Sequence, residues 1–518
     1  MRVFNCCILL TLVVGAYCFA QGGASKEAES TAPLAKNNRY PYPQFIIRGG
    51  DEDSHLLAIF DLTRKANGGN AIAQYELGLY YLLGIGTVPD TVKAAYWTKK
   101  AADQHHAVAE FNMSVFYTNG WGVPWNPFNA YKNIRAAAEA GLIEAEYYTS
   151  RFLLEDLVVP RNIPEAYRWV KLSADSGFVP AKEVLKEFIK RGWIRPDELA
   201  DSSEESVAED ENASTAKSGG FQPVFLDFSH DTVASVDRQT LVKEALAGSD
   251  PALRAKADSA ESAKDTIAVD PAIRKGVIAS AEAGSPEALV LVGKWFETGE
   301  GAKRDLIQAA ANYIRAMRLD SPRAPRLLWE IIRDGKFFSL LKSRVESHDP
   351  VAEFVWSELI TLGFDHQLTD EQARKMLESA VRSGYEPAIN EAAMACFVGS
   401  GVKKDKEKAM KLWQRAADNG NMEAKIRSLI ASVVGVPDAT IDSDALNFLN
   451  DADRKGAVLA QALLGYCYEI GLGVRLGKTQ AAYYYRLAAQ RGNQIAFNGL
   501  KRMYDEIRPK EKEFQLSD

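Results

Sequence analysis

The chain has 518 residues, 47% of them hydrophobic, and a formal net charge of −7. That is an ordinary globular composition with room for two domains. The acidic balance offers no basic stripe, so no nucleic-acid partner is expected.

At the start, Arg2 precedes an apolar run from Cys6 to Val14, and small residues follow near Ala20. This reads as a secretory signal over residues 1–20, with Cys18-Phe19-Ala20 as the cleavage sequence. A run of about ten apolar residues is too short to span a bilayer, so no membrane span is expected after cleavage. A lipid-modified Cys18 is the alternative, and the bulky Tyr17 before it argues against that. The expected location is therefore outside the cytoplasm, periplasmic or secreted. A bacterial envelope is preferred to a eukaryotic secretory lumen. Residues 21–50 are polar, then rich in Pro and Tyr, and read as an extended N-terminus.

A helical array is predicted over residues 51–195. Its first segment, His55 to Ala66, aligns with a second repeat helix and caps the array. The unit is seen best from Asn70 to Gln104, where apolar residues Ala73, Leu77 and Tyr81 recur at helical spacing. Helices are predicted over Ala71–Leu83 and Thr91–Ala102, with Gly84 ending the first and Asp90 capping the second.

The unit repeats. Stepping by 36 from Ala73 gives Ala109, Ala145 and Ala181, and a second series runs Ala252, Ala288, Ala324. After one step of 28 it resumes at Ala352, Ala388, Ala424, Ala460 and Ala496. Eleven residues beyond each anchor a glycine recurs (Gly84, Gly120, Gly299, Gly335, Gly363, Gly399, Gly435, Gly471), predicted to end the first helix. Seventeen beyond stand Asp90, Asn126, Asn162, Asp305, Thr369 and Asp405, all N-cap types. Glu165, Gln308 and Gln372 follow three residues later, as a capping box requires. Ser285-Pro286, Ser321-Pro322 and Asp349-Pro350 are expected to open first helices. Helical hairpins at fixed period mean a stacked solenoid. The fold class is all-α: an α-solenoid superhelix of helix-turn-helix repeats in two arrays.

Between the arrays, residues 196–236 are predicted to be a disordered linker. Asp201 to Glu211 holds six acids and no base, and Phe221–Phe228 is a short apolar segment that could dock on a neighbouring surface. The second array covers 237–507, and 508–518 is a charged tail.

The residues Ala73, Leu77-Gly78, Tyr81, Gly84-x-Gly86, Asp90, Lys93-Ala94, Trp97 and Lys100-Ala101-Ala102, echoed at Ala460, Leu464-Gly465, Tyr468, Gly471-x-Gly473 and Ala481, carry a resemblance. The chain resembles the Sel1-like repeat family, relatives of tetratricopeptide repeats. The resemblance implies a non-enzymatic scaffold or adaptor with protein partners. Some family members with paired cysteines in each repeat are linked with β-lactam binding; this chain lacks those pairs. Departures fall at Asp156, at the shortened unit around Ala324 and at the unit around Ala252, where irregular structure is expected.

Little in the sequence carries chemistry. The six histidines form no HExxH and no zinc-ligand spacing with cysteine. There is no P-loop, nucleophile elbow or dinucleotide fingerprint. No cofactor and no metal site is expected. His105-His106 reads as a solvated turn or a surface metal contact. Cys396 and Cys467, two repeats apart on first helices, read as small buried apolar residues too distant for a bridge. Of the glycosylation sequons at Asn112 and Asn212, the first lies within a helix and only the second suits an acceptor.

Candidate partner-binding residues lie two and six positions after each anchor in the first array: Tyr75, Phe111 and Tyr147, then Leu79, Val115 and Arg151. At 100° per residue these face away from the packed side, toward the groove of a solenoid. The competing reading is that the rings pack between adjacent helices. Trp121 and Trp125, in the loop of the second unit, are a further candidate, with packing beside Pro124 and Pro127 as its alternative. The expected function is an exported scaffold for protein–protein contacts. A glycan- or peptide-binding module of the cell envelope is the alternative, and a cell-wall or β-lactam-acting enzyme the third.

Overall fold

A computed structural model describes residues 55–85, 87–193, 238–246, 254, 270–365 and 368–516. The expected signal, extended N-terminus, acidic linker, Asn212 sequon and anchor Ala252 lie outside those residues, as do Gly86, His230 and His366. The chain divides into two units, Met1–Asp231 with Lys501–Asp518, and Thr232–Leu500. Every regular element among the described residues is helical, with no strand.

The first unit opens with α1 (His55–Asn67). Three hairpins follow: α2 (Ala71–Leu83) with α3 (Thr91–Ala102), α4 (Ala107–Asn119) with α5 (Pro127–Glu139), and α6 (Ile143–Glu155) with α7 (Ile163–Asp175). α8 (Val179–Lys190) ends the run. The second unit holds α9 (Arg238–Ala245), α10 (Pro271–Ala283), α11 (Pro286–Thr298), α12 (Leu306–Arg318), α13 (Ala324–Ile332) and α14 (Gly335–Glu346). It continues through α15 (Pro350–Thr361), α16 (Asp370–Arg382), α17 (Glu386–Val398), α18 (Lys406–Asp418), α19 (Met422–Val433) and α20 (Ser443–Arg454). α21 (Val458–Ile470), α22 (Lys478–Gln490) and α23 (Gln494–Ile507) close the series, and from Lys501 on the residues belong to the first unit.

The hairpin is fixed by local hydrogen bonds. Asp90, Asn126, Asn162, Asp305, Thr369 and Asp405 each accept from a backbone amide of the helix they open. Five of these residues also send their own amide back to a carbonyl of the preceding helix: Asp90 to Tyr81 (2.8 Å), Asn126 to Tyr117 (3.0 Å), Asn162 to Leu153 (2.9 Å), Asp305 to Phe296 (2.8 Å) and Asp405 to Cys396 (2.8 Å). The cap residue therefore sets both the start of one helix and its approach to the other. Of the three expected capping boxes, only Thr369–Gln372 is reciprocal. Glu165 instead meets the Asn162 side-chain amide at 3.0 Å.

Anchor alanines Ala73, Ala109, Ala145, Ala181, Ala288, Ala324, Ala352, Ala388, Ala424, Ala460 and Ala496 are all buried. Five residues beyond two of these anchors, glycine permits the helices to touch. A Cβ at Gly293 would stand 2.4 Å from Tyr313, and one at Gly465 would stand 2.6 Å from Tyr485. Both tyrosines sit at one register and donate 2.6 Å hydrogen bonds to Glu297 and Glu469, also register-equivalent.

Of the two described departures from the repeat, one stays regular and the other is irregular as expected. Asp156 adopts the left-handed backbone of the glycine it replaces (φ 55°), and its carboxylate accepts from the Arg161 amide at 2.9 Å, so that hairpin stays regular. Aspartate tolerates this region because its short polar chain bonds locally. The shortened unit does break the pattern. Arg323, not Ser321, precedes α13, and Gly335 begins α14 behind the Asp334 cap rather than ending a first helix. The 28-residue step deletes the interhelix loop, so the next cap follows α13 at once.

The second unit's array folds back on itself. The Val458 amide donates to Gly284 O at 3.3 Å, and the Gln494 amide to Asp320 Oδ2 at 3.1 Å. Arg491 reaches Glu287 (2.5 Å), Ser285 Oγ (3.1 Å), Gln461 Oε1 (3.0 Å) and Gly456 O (2.8 Å). The turns of its early hairpins are thus bonded to those of its late ones.

Candidate functional site

The six residues expected on the open face of the first array are buried. Tyr75 is 3% exposed, Phe111 1% and Tyr147 2%, and Leu79, Val115 and Arg151 lie inside with them. Each ring meets a ring of the following repeat. Tyr75 stacks on His106 (centroids 4.9 Å apart, planes at 21°), Phe111 tilts against Tyr148 at 5.9 Å, and Tyr147 meets Phe178 edge-on at 5.4 Å. The position two beyond the anchor is a packing position of the stack. These side chains do point away from the packed side of their own hairpin, and the next repeat covers them there.

Trp121 and Trp125 are half-buried. Trp121 packs against the cluster of Tyr75, Leu79, Ala95 and Phe116. Trp125 meets Tyr504, at the end of α23, with centroids 5.4 Å apart.

The histidine pair has a local function. His105 takes the left-handed turn position (φ 59°), and its Nδ1 lies 3.3 Å from Glu110 Oε1. His348 repeats the device, with φ 60° and Glu353 at 3.7 Å. His106 Nδ1 accepts from the Ala109 amide at 3.2 Å and so caps α4. Burial lowers the His106 pKa, which keeps that nitrogen an acceptor. Burial raises the Glu110 carboxyl, and His105 opposes the shift.

Sequence reading missed a charge cluster inside the second unit. Arg318 on α12 donates to Glu358 of α15 at 2.5 Å and lies 3.1 Å from Glu391 of α17. Arg427 of α19 holds Glu423 at 2.8 Å. Burial and the neighbouring Glu391 push the Glu358 carboxyl up to about 7 against the pull of Arg318. Its members come from four different helices; Glu391 and Arg427 share the position three beyond an anchor, but Arg318 and Glu358 stand at other positions, so no single spacing announces it. The cluster cross-braces the stack. Among the described residues, no group of three or more His, Cys, Asp or Glu could hold a metal ion. The two described cysteines are buried and free, and burial raises the Cys467 thiol to about 11. No described helix is long and apolar enough to cross a membrane.

Two solved structures are similar to the chain. One is c5321, a protective antigen present in uropathogenic Escherichia coli strains displaying an SLR fold. It is 21% identical, with 83% of this chain and 79% of that chain covered and a TM-score of 0.27. The other is a Sel1 repeat protein from Oxalobacter formigenes, 28% identical, covering 25% of this chain and 97% of that chain at a TM-score of 0.24. Assignment rests on the repeats themselves. The family model for the Sel1 repeat matches residues 71–106, 107–142, 143–178, 286–321, 387–421 and 458–493, in register with the hairpins described above. The chain is a Sel1-repeat protein.

Proposed function

We propose that the chain is an exported scaffold that brings protein partners together outside the cytoplasm. Sel1-repeat proteins generally mediate protein–protein interactions and are typically non-enzymatic. The observation that carries the reading for this chain is the use of its polar residues. Caps, turn histidines, the Tyr–Glu pairs and the Arg–Glu cluster are all spent on holding repeats together. The proposed partner surface centres on Trp121 and Trp125, the half-buried members of the candidate set, and the buried Tyr75 belongs to the cluster that Trp121 packs against. Export is supported by the apolar run behind Arg2 and the small residues near Ala20.

The test is crosslinking of the tagged chain in its own host, followed by mass spectrometry of crosslinked peptides and of the mature N-terminus. The proposal expects a chain beginning near Gln21 and crosslinks from the Trp121–Trp125 loop to one defined protein. An unprocessed chain would refute export. Retention on glycan without protein crosslinks would favour the module reading.

A further inference from the structure

The residues set aside in the sequence as a charged tail carry a buried anchor. Phe514 is fully buried, in a short 3-10 helix (Lys512–Phe514). Its ring lies edge-on to Phe128 at 5.3 Å and to Tyr131 at 6.2 Å. Lys132 Nζ stands 5.1 Å from the Phe514 ring centre and 3.0 Å from Glu511 Oε1. Arg508 crosses the Phe128 ring at 5.2 Å, then donates to Leu157 O at 2.9 Å and Val158 O at 3.4 Å. Arginine, acid and aromatic thus engage the first unit at 508, 511 and 514, every third residue.

The receiving face is specific to one place in the array. Trp125, Phe128 and Tyr131 are successive third residues across the start of α5. The equivalent trios are Pro89/Val92/Ala95, Arg161/Pro164/Tyr167, Arg304/Ile307/Ala310 and Lys404/Glu407/Met410, so three aromatics occur together only in the second hairpin. The carbonyls that Arg508 takes belong to the loop after Asp156, the loop that lacks the first-helix glycine. Neither feature is required by the hairpin, since the other repeats fold without them. A Phe in an aromatic-lined cleft, one ammonium for an acid and two carbonyls for a guanidinium form a set suited to peptide recognition.

We propose that this face is an exchangeable peptide seat. The chain's own terminal segment holds it, and a segment of a protein partner with arginine, acid and aromatic at three-residue spacing displaces that segment. The partner follows from the scaffold reading above; the seat is testable without one.

The probe is a fluorescent peptide of residues 505–516, titrated against the full chain with anisotropy as readout. A tethered competitor acts at an effective concentration of about millimolar, so the wild-type chain should bind the probe weakly. Phe514→Ala in the full chain should free the seat and tighten probe binding at least tenfold. A probe carrying the same change at its own phenylalanine should lose that binding. Arg508→Gln keeps every buried ring and should give a smaller gain of the same sign, which preserves the test if the first variant folds poorly. Equal probe binding by wild type and both variants, or equal binding of the two probes, would overturn the seat. A concentration-dependent wild-type dimer dissolved by the probe would assign the seat to a second copy's tail and overturn exchange with a foreign partner. Absence of crosslinked partners in the host would refute the scaffold reading while leaving the anisotropy result standing.

Discussion

Phe111→Ala separates the two readings of the aromatic row most sharply. An aromatic side chain buries about 150–250 Å², which at about 25 cal/mol per Å² corresponds to about 4–6 kcal/mol as an upper figure. Measured Phe→Ala changes in cores cost about 3–5 kcal/mol, cavity included. Phe111 is 1% exposed and touches Tyr148 of the next repeat, so the full cost applies and an interior interface is weakened. The expected result is a loss of about 3–5 kcal/mol in the first unit, read by urea titration with far-ultraviolet circular dichroism. Affinity for any partner found by crosslinking, measured on the same variant below its transition, should change little. A loss under about 1 kcal/mol, small beside the core range, with partner binding abolished would refute the packing assignment and return the ring to the site.

Leu77→Ala and Leu464→Ala, each removing a side chain at most 1% exposed, should each cost about 2–5 kcal/mol by the same titration. His106 has a lowered pKa, so its cap contributes fully above about 6.5 and is lost as pH falls through the folded value. Melting of His106→Asn should therefore depend less on pH between 7 and 5 than wild type. Glu358 has the opposite sign. Its carboxyl is raised to about 7, so the second unit should lose stability as pH climbs from about 5 to 8, and Glu358→Gln should flatten that slope. Gly465→Ala should destabilise through overpacking by about 1–3 kcal/mol, because the added methyl meets the Tyr485 ring, and Tyr485→Phe alone should not relieve it.

What the sequence revealed, and what it hid, divides along one physical line. The alanine anchors, the left-handed ends such as Gly84, and caps such as Asp90 act within one hairpin, over distances that chain spacing fixes, and they recur. Reading them gave the helices to the residue at Ala71–Leu83 and Thr91–Ala102. Contacts between repeats depend on how one hairpin seats on the next, which a helical wheel for a single helix omits. That is why Tyr75, Phe111 and Tyr147 looked open and are packed. Arg318 meets Glu358 and Glu391 across the stack, 40 and more residues away in sequence, with no periodic signal. The tail misled through charge: Lys510, Glu511, Lys512 and Glu513 suggested solvent, while one phenylalanine decided its position. The signal that was available lay in the trio Trp125, Phe128 and Tyr131, aromatic in only one hairpin.

A repeat protein states its fold through what recurs, so its individual chemistry has to be sought where recurrence fails. Each regular position here has an explanation local to the hairpin: a cap, a loop amide returned to a carbonyl, or a glycine beneath a tyrosine. Such positions are shared by every array of this construction and select no partner. Departures are of two kinds. Some preserve the hairpin at no evident gain, as His348 does in reaching Glu353 from a turn where other repeats carry glycine. Others assemble groups that the hairpin does not need. The three rings of the second hairpin and the glycine-free loop of the third are of that second kind, and they lie under one segment. Two unrelated departures converging on a single Phe and Arg is more than packing alone asks of them, since neighbouring hairpins close with Pro89 or Arg161 in the same register. Where two exceptions to a repeat meet in space, the contact between them is the place to look for selection on binding.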